Sequence, residues 1–336
     1  MGPDVEPGGP RPFTGLGPDQ VLDALESVGL ACDGRLLALN SFENRVYLVG
    51  LEDGSSRVAK FYRPGRWSDA QLREEHAFAR ELADAEIPVV APLAFDGGQT
   101  LLDAGGYRLA IYPRQGGRPP ELDNRFHGAE RRDRIGQFIA RIHQVGARAP
   151  FRQRPVLDPV THGDVPIANI LASQLLPAEL TAAWQAIAEA CVVAVRGHWQ
   201  QSGATALRLH GDCHLGNLLW TDDGPHFVDL DDARGGPAIQ DLWMLADAGA
   251  GPDIGSSSGP SLEMRELLDG YEKIRDFDWR ELRLIETLRT MRMLHYSAWL
   301  AERWQDPAFP AAFPWFGTPR YWQDQILALR EQLGKI

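Results

Sequence analysis

Residues 210–232 read His-Gly-Asp-Cys-His-Leu-Gly-Asn-Leu-Leu-Trp-Thr-Asp-Asp-Gly-Pro-His-Phe-Val-Asp-Leu-Asp-Asp, and this stretch constrains the architecture more tightly than any other. Two short apolar runs, Leu218-Leu219-Trp220 and Pro225-His226-Phe227-Val228, flank Thr221-Asp222-Asp223-Gly224, a combination that predicts a β-hairpin. Folding back around Asp223 carries Asn217 and Asp229 to the same open end. An amide oxygen and a carboxylate then face one point, the hard-oxygen surroundings that Mg²⁺ prefers. An acidic turn on a solvated hairpin would require no such placement.

Asp212 stands five residues before Asn217, so Asp212, Asn217 and Asp229 carry the spacing of the catalytic Asp, metal-binding Asn and metal-binding Asp of kinase-type phosphoryl transfer. The same pattern occurs upstream as His162-Gly163-Asp164-Val165-Pro166-Ile167-Ala168-Asn169. There it lacks its partner acid: Thr181 occupies the place that Asp229 has in the second copy. Residues 170–176 hold no turn signal and run towards a helical pattern over 179–199, and Pro166 fixes φ inside the would-be loop. Asp164 is therefore read as a loop or cap residue and the second copy as the catalytic one.

A chain of 336 residues with a net charge of −12 is long enough for two lobes and too acidic for general nucleic-acid binding. It contains no run of eighteen apolar residues, so no membrane span is expected. Residues 1–18 are rich in Pro and Gly and lack a signal-peptide pattern, so they are read as a disordered tail and the protein as cytoplasmic and monomeric. Cys32, Cys191 and Cys213 are widely spaced, with no zinc or redox pairing, which fits a reducing compartment.

The remaining pattern divides into three. Residues 19–112 form a small strand-rich lobe, with helices at 19–29 and 69–86 and strands at 45–49, 57–62, 89–92, 100–102 and 108–112. Residues 113–123, rich in Pro, Gly and Arg, form a hinge. Residues 124–336 form a larger, mostly helical lobe with helices at 128–145, 178–201, 262–274 and 278–304, interrupted by the loop and hairpin at 210–232.

Phosphoryl transfer asks the protein mainly for positioning and charge neutralisation. Lys60, in the strand Val58-Ala59-Lys60, is the candidate for the α/β-phosphates. On the helix at 69–86, Leu72, Ala79 and Leu82 mark the inward face, and Glu75 lies on that stripe while Glu74 lies about 100° away. A buried carboxylate requires a cation, so Glu75 is assigned to hold Lys60. Residues 40–44, Asn-Ser-Phe-Glu-Asn, offer backbone N–H groups and the Ser41 hydroxyl to phosphate as a nest-like site, or else form a plain turn leading into the strand. Asp231 and Asp232 read equally as aids to metal or substrate and as solvated loop carboxylates. Asp241 reads as a helix cap or an anchor for the catalytic-loop backbone. Tyr296, Trp299, Trp304 and Trp315 read as packing of the helical lobe.

With these residues in place, the chain resembles the aminoglycoside phosphotransferase and choline kinase group of the protein-kinase-like superfamily. Segments 39–47, 60–64, 209–214, 229–234, 240–245 and 306–310 are similar to those of the bacterial stress response kinase A family, and the resemblance runs from about residue 14 to the C-terminus. It implies an α+β, bilobal kinase-like fold and an ATP- and Mg²⁺-dependent enzyme that phosphorylates Ser or Thr of proteins, itself included, in stress survival. It also implies Asp212 as proton acceptor, Asn217 and Asp229 as metal ligands and Ser41 as an ATP contact. A small-molecule kinase acting on an amino alcohol or aminoglycoside is the alternative, and a non-catalytic nucleotide-binding scaffold a third reading. The retained Asp212, Asn217 and Asp229 speak against the scaffold.

Overall fold

The computed structural model describes residues 12–124, 126–246 and 260–336. In the N-terminal lobe, helix α1 (Pro18–Glu26) precedes strands β1 (Cys32–Leu39), β2 (Arg45–Leu51) and β3 (Ser56–Phe61). Helix α2 (Asp69–Asp84) and strands β4 (Leu102–Ala104) and β5 (Tyr107–Pro113) follow. The strands make one antiparallel sheet in the order β1-β2-β3-β5-β4. Alternation along β2, β3 and β5 sends Val49, Phe61 and Leu109 to one face, where they pack with Val21 and Leu25 of α1. Lys60 therefore lies on a central strand, opposite Val46 of β2 and Ala110 of β5, and is not an edge charge.

The expected tail at 1–18 is corrected in part. Residues 1–11 lie outside the described residues, but Phe13 is buried in the N-lobe core beneath the guanidinium groups of Arg45 and Arg63, and α1 starts at Pro18. Of the expected strands, 89–92 contributes only a parallel bridge between Val89 and Phe227. Strand β1 escaped the sequence reading because its exposed, charge-interrupted pattern shows no alternation to detect.

The C-terminal lobe contains helices α3 (Gly128–Gly146), α4 (Val165–Ala172) and α5 (Ala178–Ser202), then strands β6 (Leu207–Leu209), β7 (Leu218–Thr221), β8 (Gly224–Phe227) and β9 (Arg234–Gly236). It closes with helices α6 (Trp243–Ala246), α7 (Leu262–Glu272), α8 (Ile285–Glu302), α9 (Ala308–Ala312) and α10 (Pro319–Leu333). One core gathers Ile139, Leu209, Phe227, Leu245 and Leu267; a second gathers Trp184, Leu294, Phe309 and Trp322. Glycines let α3 and α7 cross closely, since a Cβ at Gly270 would lie 1.9 Å from the Asp133 carbonyl oxygen. Helix α5 is long and apolar enough to cross a membrane by length and composition. Reading only uninterrupted apolar runs passed over it. Its Trp184, Ala188, Cys191, Val192 and Val195 belong to the cores of this lobe.

Between the lobes, residues 113–123 are pinned rather than free. Arg118 and Trp220 exchange backbone hydrogen bonds of 3.2 and 2.6 Å, tying the stretch to β7.

Candidate active site

A cleft of about 690 Å³ opens between the lobes, and Ser41, Lys60, Glu75, Asp212, Asn217 and Asp229 all line it. The hairpin places two of them. Its pairing, Leu218 with Phe227 and Thr221 with Gly224, centres the turn between Asp222 and Asp223. Asn217 consequently faces Val228, whose N–H donates to the Asn217 carbonyl at 3.1 Å, and Asp229 lies one position beyond. One position along a strand reverses the side chain. Asp229 adopts the left-handed conformation, φ 60° and ψ 65°, and the chain turns there out of the hairpin. Aspartate is among the few residues that tolerate this region, and its use beside a cleft fits a functional constraint.

The catalytic loop is fixed from behind. Asp241 accepts the backbone N–H groups of His210 and Gly211 at 2.9 and 2.8 Å, and His143 Nε2 lies 3.1 Å from it. His143 reaches Tyr271 at 2.9 Å through its other nitrogen. Burial alone would raise the Asp241 carboxyl, but the His143 hydrogen bond, nearby imidazoles and the loop N–H groups bring it below its ordinary range. Asp241 is thus the loop anchor.

Asp212 projects from this braced loop between two basic groups. Arg292 Nη1 donates to Oδ1 at 2.8 Å, and His214 Nε2 stands 3.3 Å from Oδ2. Burial pushes its pKa up; the His214 hydrogen bond and the Arg292 charge outweigh that and lower it, so Asp212 is ionised at neutral pH. Asn217 donates its Nδ2 to the Asp212 carbonyl at 2.9 Å, which keeps its Oδ1 available.

Lys60 corrects one expectation. Its ammonium donates to Asp229 Oδ1 at 2.7 Å and lies 3.3 Å from Asp231 Oδ1; it makes no ion pair with Glu75. Burial would lower the Lys60 pKa, but Asp229 and Asp231 raise it well above the ordinary value, so the charge persists. The physical reason is charge density, because two carboxylates from the 229–231 turn outcompete one from α2. Glu75 does lie on the buried face of α2 with Leu72, Phe78, Ala79 and Leu82, as its spacing predicts. Its Oε2 has no hydrogen-bond partner, and burial, opposed in part by Lys60, pushes its carboxyl up to about 7. Glu74 takes a different role and accepts the backbone N–H groups of Arg152, Gln153 and Arg154 at 2.6–2.7 Å.

Ser41 sits in the turn at 40–44 and donates to the Asn44 carbonyl at 3.2 Å. Glu43 docks that turn onto the other lobe through an ion pair with Arg303 at 2.6 Å and a hydrogen bond from Trp299 Nε1 at 2.6 Å, and it meets Arg63 of its own lobe at 3.0 Å. Asp306 receives Arg63 at 2.8 Å and Arg45 at 3.2 Å. Asp231 is buried and Asp232 half-buried, and neither is left to solvent alone. Arg66 holds both, Asn44 donates to Asp231 at 3.2 Å and Arg234 reaches Asp232 at 2.6 Å.

Sequence reasoning missed Arg66 and Arg292, for which no local pattern exists. It also underread Tyr296 and Trp299, which line the cleft besides packing the lobe. Asp164 lies elsewhere: it ends a π-helical turn (Val160–Asp164), pairs with Arg196 of α5 and is absent from the cleft wall, while Asn169 of the same copy donates to Glu302.

Among the described residues no cluster of three or more His, Cys, Asp or Glu could hold a metal. The donors that do face the cleft, an amide oxygen and the half-exposed Asp229 carboxylate, are hard oxygens. They suit a cation that keeps much of its own water, as Mg²⁺ does.

A five-stranded lobe over a helical lobe, with a braced Asp loop and an Asn–Asp hairpin in the cleft between them, is the architecture of a kinase-like phosphotransferase. The chain belongs to the phosphotransferase enzyme family, whose pattern matches residues 35–285. It is 46% identical over 320 residues, 95% of this chain and 93% of the relative, to stress response kinase A of Salmonella choleraesuis (strain SC-B67). The serine/threonine protein kinase RdoA of Salmonella typhimurium (strain LT2) matches with the same identity and coverage. Among solved structures, amicoumacin kinase hAmiN, in complex with AMP-PNP, Ca²⁺ and Ami, superposes with a TM-score of 0.71 at 18% identity, covering 94% of this chain and 93% of that one. That likeness is one of fold.

Proposed function

We propose that this chain is an ATP- and Mg²⁺-dependent protein kinase of the stress response kinase A type, transferring the γ-phosphoryl group to Ser or Thr hydroxyls of proteins, itself included, in the cytoplasm and as a monomer. The observation that carries the reading is the convergence of Ser41, Lys60, Glu75, Asp212, Asn217 and Asp229 on one interlobe cleft. The acceptor class rests on the names of relatives that share nearly half of the sequence.

Each residue's part follows from its surroundings. Asp212, ionised and held by Arg292 and His214, orients the acceptor hydroxyl and takes its proton as the oxygen attacks phosphorus. Asn217 and Asp229 would hold the cation, which when bound would supply neutralisation of the nucleotide's phosphate charge. Lys60, already charged beside Asp229, steadies the α/β-phosphates. Ser41 contacts the nucleotide from the turn at 40–44. Val46 and Val58 from above and Leu219 from below offer apolar walls for the base.

Incubating the purified chain with Mg²⁺ and labelled ATP tests this. Wild type labels itself or a generic protein acceptor on Ser or Thr, and Asp212→Ala does not. Rapid ATP turnover on an amino alcohol or aminoglycoside, with no protein labelled, would move the assignment to a small-molecule kinase.

A further inference from the structure

One face of α8 forms a wall of the cleft beside Asp212. Leu288, Met291, Arg292, His295, Tyr296 and Trp299 recur at helical spacing along it, and the face carries no carboxylate. Among the described residues, four Lys and Arg side chains line the cleft. Three of them, Lys60, Arg66 and Arg234, are buried, with side-chain exposures of 8, 13 and 9%, and carboxylates hold each. Arg292 is 43% exposed; among the described residues it pairs with Asp212, through Nη1, leaving its other N–H groups open to the cleft. Of the three imidazoles that line the cleft, His214 lies against Asp212, off this helix; His295, on the α8 face, is half-buried and pushed down to about 4 by burial and by Arg234, and the buried His162 is lowered for the same reasons. At neutral pH this wall therefore presents a single positive charge, next to a half-exposed Tyr296 ring.

We propose that Arg292 determines acceptor specificity, selecting a Ser or Thr whose immediate neighbour in the polypeptide is acidic; this rests on the protein-hydroxyl reading above. An acceptor oxygen hydrogen-bonded to Asp212 stands about 2.7 Å from that carboxylate, and Arg292 Nη1 is 2.8 Å from the same group. The guanidinium is thus roughly 5–6 Å from the reacting oxygen, and consecutive Cα atoms are about 3.8 Å apart, so a flanking Asp or Glu reaches it. The planar guanidinium donates to Asp212 along one edge and to a second carboxylate along the other. The remaining carboxylates of the cleft do not reverse the preference: Asp229 is paired with Lys60, Asp231 with Lys60 and Arg66, Asp232 with Arg66 and Arg234, and Glu43 with Arg63 and Arg303, while Glu75 is buried. A basic flanking residue or a polycation meets like charge on this wall.

The test uses three full-length proteins, wild type, Arg292→Gln and Arg292→Glu, each checked for an unchanged melting transition. Two synthetic peptides are compared, identical except that a single Ser is flanked by Glu or by Lys, and kcat/KM is measured for each. Wild type should favour the Glu peptide by about fivefold, the scale of one partly exposed ion pair, with the ratio shrinking as salt is added. Arg292→Gln should bring the ratio to near one and Arg292→Glu should favour the Lys peptide. Losing the Asp212 contact lowers absolute rates in both variants, so the ratio is the readout. Equal use of both peptides by wild type, or a Glu preference that survives in Arg292→Gln, overturns the inference while leaving the kinase reading intact. If neither peptide nor any protein is labelled while Asp212-dependent ATP turnover on a small alcohol proceeds, the protein-acceptor reading falls and the inference with it.

Discussion

Residues 162–169 and 210–217 share His-Gly-Asp and an Asn five positions after the Asp, yet they fold differently. In the first copy the backbone is helical. The His162 N–H donates to the Asp158 carbonyl at 3.1 Å, Asp164 leads into α4 and its carboxylate meets Arg196 at the surface. In the second, the same N–H groups turn away from helical partners and are taken by Asp241, thirty-one residues from His210. The two glycines record the difference. Gly211 has φ +87°, and a Cβ there would lie 2.1 Å from the Asp232 carbonyl oxygen; Gly163 lacks a positive φ, and a Cβ there would meet the Val192 side chain at 3.0 Å. A short polar pattern becomes a site only when distant residues prevent it from becoming a helix.

The contrast breaks most easily at the two aspartates. Asp212→Ala should cut phosphoryl transfer by about 10³-fold, equivalent to about 4 kcal/mol of barrier, while Asp164→Ala keeps most activity. Initial rates with labelled ATP check both, and a dead Asp164→Ala beside an active Asp212→Ala would reverse the assignment. The glycines come next. Gly211→Ala should cost roughly 3–4 kcal/mol of stability or abolish the loop geometry, since backbone strain and a backbone clash act together. Gly163→Ala should stay within about 1 kcal/mol, with helix propensity offsetting a tight contact. Urea unfolding of the two variants measures the gap.

A pH series sharpens the distinction between cleft and surface. Glu75 titrates near 7 in the folded chain against an ordinary value near 4.5, because burial disfavours its charge. The folded state then binds the proton more tightly than the unfolded state. Stability from this group is complete below about pH 4.5 and is lost as pH rises through 7, by about 3 kcal/mol in all. Glu75→Gln should therefore flatten the stability–pH curve between pH 5 and 8 and gain on wild type towards the alkaline end. Parallel curves for the two proteins would show that Glu75 is ionised throughout. The smallest effect belongs to the surface pair: Arg196→Ala should shift stability by no more than about 1 kcal/mol, and thermal melts suffice to test it.

What the sequence made legible was local. The hairpin, the buried stripe of α2 and the division into lobes follow from short-range periodicity and turn chemistry, so Asn217, Asp229, Lys60 and Glu75 reach the cleft as expected. Glu75 rather than Glu74 lies on the buried face of α2, because helix geometry separates their faces, but it does not take the Lys60 pairing assigned to it. What failed was long-range competition. That Lys60 would sit with Asp229 and Asp231 rather than Glu75 depends on how the lobes close over each other. Arg292 approaches Asp212 from eighty residues away on a helix whose periodicity reads as packing. Helices α4 and α10 and strands β6 and β9 also went unread. The two strands are three residues long, too short to carry a period.

Helix α8 meets both ends of the reaction. Arg292 touches Asp212, and seven residues further on Trp299 donates to Glu43, two positions from Ser41. Two turns of one helix therefore join the Asp212 end of the cleft to the turn at 40–44, the ends proposed above for acceptor and nucleotide. Any displacement of that helix by one ligand is felt by the other, and the linkage is reciprocal: the factor by which a bound acceptor alters nucleotide affinity equals the factor by which bound nucleotide alters acceptor affinity.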